Sequence, residues 1–227
     1  MAQRTADEVK ASFVAAFPSG TGELAHELWK AVNNLHFKWE NYRSLFGTSP
    51  DRIDLLNWAA PSFFGLLDGI LRSDVMLAIA RLTDPPKSMG RDNACLARLI
   101  ETLVPFTDTQ SVDSWRAELQ DLQTYCEPVR VTRNRLLAHE DLATALHYHP
   151  DPIPGVSRPY IDGALERFRK LFGSIEVRFR GSQTAFQLVS AVGDGESVIS
   201  RLEDAQEHEK CRERDFDEEY GIDANDT

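Results

Sequence analysis

Cysteine is scarce in this chain, and so are long apolar runs and strand signals. The three cysteines, Cys95, Cys126 and Cys211, are odd in number and far apart. That excludes a disulfide framework and a metal-finger spacing, and it makes a reducing compartment, the cytoplasm, the expected location. No stretch reaches the roughly 18 apolar residues of a membrane-spanning helix, and the N-terminal M-A-Q-R-T-A-D-E-V-K has no signal-peptide core, so no membrane partner is expected. A Gly-rich phosphate loop, a serine nucleophile elbow, a His-Glu-x-x-His pair and a dinucleotide fingerprint are all missing. No cofactor is expected on these grounds.

What remains is ordinary for a globular protein. The 227 residues are 42% hydrophobic and 27% charged, enough to bury a core without staples. The formal charge of −11 argues against a nucleic-acid partner, because phosphate binding draws on Lys and Arg. Its distribution softens that argument. From Glu203 to the end, eleven acids face only Lys210, Arg212 and Arg214, so the tail holds most of the excess. Two parts are locally basic: the trio Arg130, Arg133 and Arg135, and the run Arg158, Arg167, Arg169, Lys170, Arg178 and Arg180. Arg130, Arg167 and Lys170 are candidate RNA contacts from these clusters; solvated helix faces are the competing reading. An acidic tail that folds over the second cluster and competes with RNA would reconcile the two signs of charge, and a merely solubilising extension is its alternative.

Punctuation divides the chain into helices. Thr5-Ala-Asp-Glu8 has the form of a capping box. A long amphipathic stretch from Glu23 to Phe46 stops at Gly47, and Ser49-Pro50-Asp51 opens the next helix. Pro61 breaks or kinks that helix, the apolar stretch Ser62 to Thr83 follows, and Asp84-Pro85-Pro86 ends it. Asn93 is placed as the cap of a short helix to Val104. A helical stretch from Ser111 to Tyr148 is bent or divided at Pro128. His149 to Gly155 is a loop, Pro159 to Arg180 a helix, and Gly193 to Glu196 a turn into a helix reaching about Arg214. The expected fold is all-α, an antiparallel helical bundle with additional C-terminal helices and a small non-helical patch over Phe186 to Val192. Residues 1–202 read as one domain with its core at about 61–180, and 203–227 as an acidic extension, partly helical or frayed. The tryptophans Trp29, Trp39, Trp58 and Trp115 read as core or interface anchors.

Chemistry concentrates in Val129 to Asp141, V-R-V-T-R-N-R-L-L-A-H-E-D. Leu119, Leu122, Cys126, Val129 and Leu136 recur at alternating three- and four-residue steps and mark a buried stripe. Arg133 falls on that stripe, where a guanidinium is costly unless it is paired or faces a wet crevice. Asp74, which intrudes on an apolar helix in the same way, is one expected partner. Glu140 is another.

Arg133-Asn134, then Arg135-Leu-Leu-Ala, then His139 resembles the signature of the HEPN superfamily, and in particular its abortive-infection U-like branch. The pattern of that branch, a helix ending near Arg-Leu-Thr/Phe-Asp-Pro, an Asn starting a short helix and then Arg-Asn-x-x-x-Ala-His-x-Asp, is matched in the same order by Arg81-Leu-Thr-Asp84-Pro85, Asn93-Ala-Cys-Leu96 and Arg133 to Asp141. The resemblance implies a homodimer in which Arg133, Asn134 and His139 of two protomers form a metal-independent endoribonuclease site. Asp74, Arg135, Glu140 and Asp141 would support it. It also implies an RNA substrate, an antitoxin protein as possible partner, and a setting in phage defence or toxin–antitoxin systems. A non-catalytic helical dimer that binds a nucleotide, RNA or a protein is the alternative, since members of this superfamily include silent binders.

The residue types suit the chemistry. His139 can move a proton near neutral pH, and the planar fork of Arg133 can steady a phosphorane-like transition state. On a regular helix, however, Arg133 and His139 point about 120° apart and lie about 9 Å apart along the axis. Either the helix loosens near Ala138 or a second chain completes the site. A further alternative makes Arg135, four residues before His139, its same-face neighbour and Arg133 structural. A metal reading of His139, Asp141, His147 and His149 ranks below these, and no metal is expected.

Overall fold

Capping and breaking residues set the helix ends. The computed structural model describes residues 5–137, 146, 155–188 and 193–220, and these are all-α apart from one small hairpin. Thr5 and Glu8 exchange both bonds of a capping box ahead of α1 (Ala6–Ala16). Helix α2 (Gly22–Phe46) stops at Gly47, whose N–H closes on the Arg43 carbonyl. Ser49 caps α3 (Pro50–Ala59) through the Arg52 N–H. The chain breaks at Ala60, before Pro61, and α4 (Pro61–Thr83) ends ahead of Asp84-Pro85-Pro86.

The next segment departs from expectation. Asn93 caps no helix: its Nδ2 donates to the Pro85 carbonyl at 2.8 Å and to Ser88 Oγ at 2.9 Å. It braces a hairpin of β1 (Lys87–Ser88) and β2 (Arg91–Asp92). Met89 and Gly90 both have positive φ, 48° and 79°, the backbone of a tight hairpin turn whose usual signal is Asn-Gly. Helix α5 (Leu96–Leu103) then starts after an extended Cys95.

Helix α6 (Thr109–Tyr125) is capped by Asp108 and parts from α7 (Glu127–Thr132) at Cys126, with Pro128 in the first turn of α7. Proline is tolerated there because that N–H has no intrahelical acceptor. A π-helical turn over Arg133–Leu137 follows. Helix α8 (Arg158–Arg180) is capped by Ser157 and closed by Gly181 in the left-handed region, φ 64°. Phe186–Leu188 is a 3-10 turn, and residues 189–192 of the expected non-helical patch lie outside the described residues. Helix α9 (Gly195–Tyr220) carries the acidic extension as helix through Tyr220.

The described residues form two compact units. One lies within Met1–Lys38 and Arg72–Val189. There α6 and α8 run antiparallel, as their ion pairs show: Asp121 with Arg167, Glu118 with Lys170 and Asp108 with Arg178 step down one helix while climbing the other. Phe13, Phe168, Phe172, Phe186 and Leu122 are fully buried, and Trp115 nearly so. The carboxylate of Glu176, also fully buried, accepts from the Thr184 N–H at 2.9 Å, the Thr184 hydroxyl at 2.8 Å and the Arg180 guanidinium. Trp29 Nε1 donates to the same hydroxyl. A buried carboxylate is tolerable when its lone pairs are met in this way.

The other unit lies within Trp39–Leu71 and Ser190–Thr227. Leu45, Leu55, Leu56, Phe64 and Ile199 form its core. Arg52 forks onto Glu196 at 2.7 and 2.9 Å. Gly195 donates its N–H to Asn41 Oδ1, and a Cβ at that position would meet Ser44 Oγ at 2.2 Å, so the close approach of α9 to α2 needs glycine. Trp39 is buried, whereas Trp58 is 41% exposed and anchors no core.

Phe172→Ala removes a wholly enclosed ring and should cost about 3–5 kcal/mol in denaturant unfolding. His36, 5% exposed and stacked on Phe186 at 5.6 Å, has its pKa lowered to about 4, chiefly by burial and further by the Arg169 charge. The folded state thus resists a proton that the unfolded chain takes up near pH 6.5. Stability present above that pH should fall as pH drops from about 6.5 towards 4, by up to roughly 3 kcal/mol. His36→Phe should flatten that part of the stability–pH curve.

Candidate functional site

The C-terminal end of α4 gathers the candidate residues. A helix end leaves its last carbonyls without intrahelical donors and carries partial negative charge. Thr83 is fully buried there, so its carbonyl needs donors from the protein. Gln123 Nε2 supplies one at 3.0 Å and Arg130 Nη1 another at 3.1 Å. Asp84, the next residue, accepts from Arg133 Nη1 at 3.0 Å to Oδ1 and 3.1 Å to Oδ2, while Arg130 Nη2 lies 3.9 Å from Oδ1. Arg133 Nε donates to Asn134 Oδ1 at 3.0 Å. The Thr83 carbonyl at the end of α4 and the Asp84 carboxylate just beyond it thereby hold α6, α7 and the start of the π-turn together.

This explains the guanidinium on an apolar stripe. Leu122, Cys126 and Val129 are buried completely and Leu119 almost so. Arg133, one step on, keeps 22% of its side chain accessible and has an acid 20% accessible as its partner. That acid is not Asp74, which pairs instead with Lys38 at 2.5 Å. Asp74 and Asp84 are ten residues apart on and just beyond one helix, about 15 Å along its axis. The end of α4, not its middle, meets Arg133. The sequence marks Asp84 as part of a helix stop and of the Arg81-Leu-Thr-Asp84-Pro85 pattern; the proximity of an acid to the terminal carbonyls was the available signal for its pairing. Thr83 and Gln123 carried no signal of their own.

The other candidates are distributed as follows. Asn134 is exposed and orients the Arg133 guanidinium, and Arg135 is half-buried. The π-turn from Arg133 to Leu137 replaces regular α-helix directly before Ala138, a departure that recurs at functional sites. His139, Glu140 and Asp141 lie outside the described residues, as do His147 and His149. Among the described residues no group of three His, Cys, Asp or Glu could hold a metal ion. Arg130 joins the cluster and also lies 3.8 Å from Glu127. Arg167 and Lys170 are elsewhere, on α8. Arg167 pairs with Asp121 at 2.9 Å and lies 3.8 Å above the Tyr125 ring, which in turn stacks on Tyr160. Lys170 reaches Glu118 at 3.5 Å. Cys126 is no nucleophile, since burial pushes its thiol up to about 12.

The described residues are all-α, and the paired Arg133 opens an Arg-Asn-x4-His segment of the sequence. The chain belongs to the HEPN AbiU2 family, whose model matches residues 19–198, and this family is associated with abortive infection. Neither a curated protein nor a solved structure matches the chain. Among the described residues no helix is long and apolar enough to cross a membrane.

Breaking the Arg133–Asp84 pair should be measurable. Arg133→Ala is expected to cost about 1–3 kcal/mol in thermal unfolding, because the carboxylate loses its two charge-assisted bonds. In a double-mutant cycle with Asp84→Ala the losses should be non-additive by more than about 0.5 kcal/mol. Additive losses would mean that the two side chains do not interact.

Proposed function

We propose that this protein is a metal-independent endoribonuclease of the abortive-infection type, working as a homodimer in defence or as a toxin. The observation that carries the reading is the immobilisation of Arg133. Its guanidinium is held by Asp84 and Asn134 at the mouth of a π-turn, six residues ahead of His139. A pre-oriented cation costs no reorganisation when charge develops on a phosphorane. In the proposed step His139 takes the proton of the ribose 2′-hydroxyl. The 2′-oxygen then bonds to phosphorus, and the 5′-oxygen leaves with a proton returned by a histidine, which gives a cyclic phosphate and a 5′-hydroxyl. Arg133 steadies the equatorial oxygens, and the second protomer supplies the facing half of the site.

The competing reading is a non-catalytic dimer that binds a nucleotide, RNA or an antitoxin protein. It draws on the same contacts seen differently: Arg130, Arg133, Arg167 and Lys170 each have an acid nearby, as structural ties do.

Incubation of the purified protein with cellular RNA, alongside induction in growing cells, separates the two. Wild type should cut RNA and arrest growth, and His139→Ala and Arg133→Ala should each lower cleavage by about a hundredfold or more. His139→Ala controls for the stability lost with Arg133. Intact RNA with wild-type protein, or cleavage undiminished in His139→Ala, would overturn the enzymatic reading.

A further inference from the structure

Beside the arginine cluster α6 and α7 wall a cleft of about 380 Å³, lined by Pro85, Gln120, Gln123, Thr124, Glu127 and Arg130. Its size falls within the range of small-molecule sites. Part of its donor capacity is already engaged within the protein. Gln123 Nε2 is bound to the Thr83 carbonyl, Gln120 Nε2 donates to Thr124 Oγ1 at 3.2 Å, and the Thr124 hydroxyl donates to the Gln120 carbonyl at 2.8 Å. Both amide oxygens remain as acceptors, beside the one N–H that each amide has left over. Glu127 adds a carboxylate, 65% exposed, and Arg130 a guanidinium whose Nε lies 3.8 Å from it. The wall thus presents one cationic donor next to a row of acceptors, with the ring of Pro85 as an apolar surface.

We propose that this cleft reads a guanine base of the bound RNA strand. The Watson–Crick edge of guanine presents an acceptor, O6, followed by two donors, N1–H and the 2-amino group. Arg130 complements the first, and Glu127 with a glutamine oxygen the other two. Adenine and cytosine would turn an amino group towards Arg130. Uracil matches at O4 and N3–H but sets its O2 against the acceptors. Desolvated acceptors without donors are penalised, so the site discriminates by mismatch as well as by match. Because Arg130 and Arg133 share Asp84, a base here lies close to the phosphate that Arg133 would hold. The identity of the strand, though not the base chemistry, rests on the ribonuclease reading above.

Calorimetric titration of the full chain with GMP, IMP, AMP, CMP and UMP tests the assignment. GMP should bind at least about ten-fold more tightly than AMP, CMP or UMP, and IMP, which lacks only the 2-amino group, should fall between. Glu127→Gln, at an exposed position, should remove the preference for GMP while leaving the melting temperature near that of the wild type. Single-stranded oligonucleotides containing one guanosine, or inosine in its place, should show the same ranking. Equal binding of all five nucleotides, no binding of any, or an undiminished GMP preference in Glu127→Gln would overturn the site. A preference for free GMP without discrimination between the oligonucleotides would overturn the RNA strand as its source. RNA left intact by a protein that still prefers guanine would defeat the ribonuclease reading alone. Cleavage without any guanine preference would defeat this inference alone.

Discussion

A helix that ends away from water must find donors for its last carbonyls, and much of this protein's candidate chemistry depends on how α4 finds them. Thr83 has no access to solvent, so Gln123 and Arg130 come to its carbonyl and Arg133 comes to the adjoining Asp84. Three side chains from α6, α7 and the π-turn are thereby fixed to one point. Each charge-assisted contact contributes about 1.5–3 kcal/mol, against about 1 for an ordinary hydrogen bond. The total is enough to hold a short helix that Pro128 has separated from α6. Without that tie, six residues of α7 carry too few intrahelical bonds to keep Arg133 in place.

Charge elsewhere is arranged in the same economical way. The basic run on α8 gives the impression of a nucleic-acid surface, but Arg167 and Lys170 face acids on α6, Arg178 faces its cap Asp108, and Arg180 faces the buried Glu176. Long-range attraction for a polyanion is correspondingly small in a chain of net charge −11. An RNA-binding role would then have to rest on short-range contacts of defined geometry, such as those proposed at the Asp84 cluster and the cleft beside it.

Local chemistry was legible in the sequence. The Thr5 box, the Ser49-Pro50 start, the Gly47 stop and the division of a helix near Pro128 each rest on interactions within a few residues, and all-α architecture follows from their sum. Distance along the chain defeats the same reasoning. A hydrophobic stripe tells which face of a helix is inward but not how far a neighbour has slid along its axis, so Asp74 and Asp84 were equally available to Arg133. Asn93 looked like a cap because asparagine suits both caps and loops, and the hairpin it braces has Met-Gly where Asn-Gly is the usual sign. Charge composition also misleads, because partners such as Asp121 and Arg167, 46 residues apart, are invisible until the helices are paired.

The pairing of Arg133 bears directly on what it could do as a phosphate ligand. Arg130 and Arg133 lie against Asp84, and Glu127 stands near Arg130, so the cluster as a whole carries little surplus charge. What it could offer a transition state is therefore orientation and not bulk potential. A guanidinium fixed by a carboxylate on one edge keeps its plane and its remaining N–H vectors defined, whereas a free surface arginine would have to give up rotamer entropy at the moment of reaction. The carboxylate also lowers the cost of keeping a cation only partly solvated. An arginine tied in this way is selective for a ligand of the right geometry and indifferent to polyanions in general, which is the behaviour an acidic protein needs if it acts on RNA.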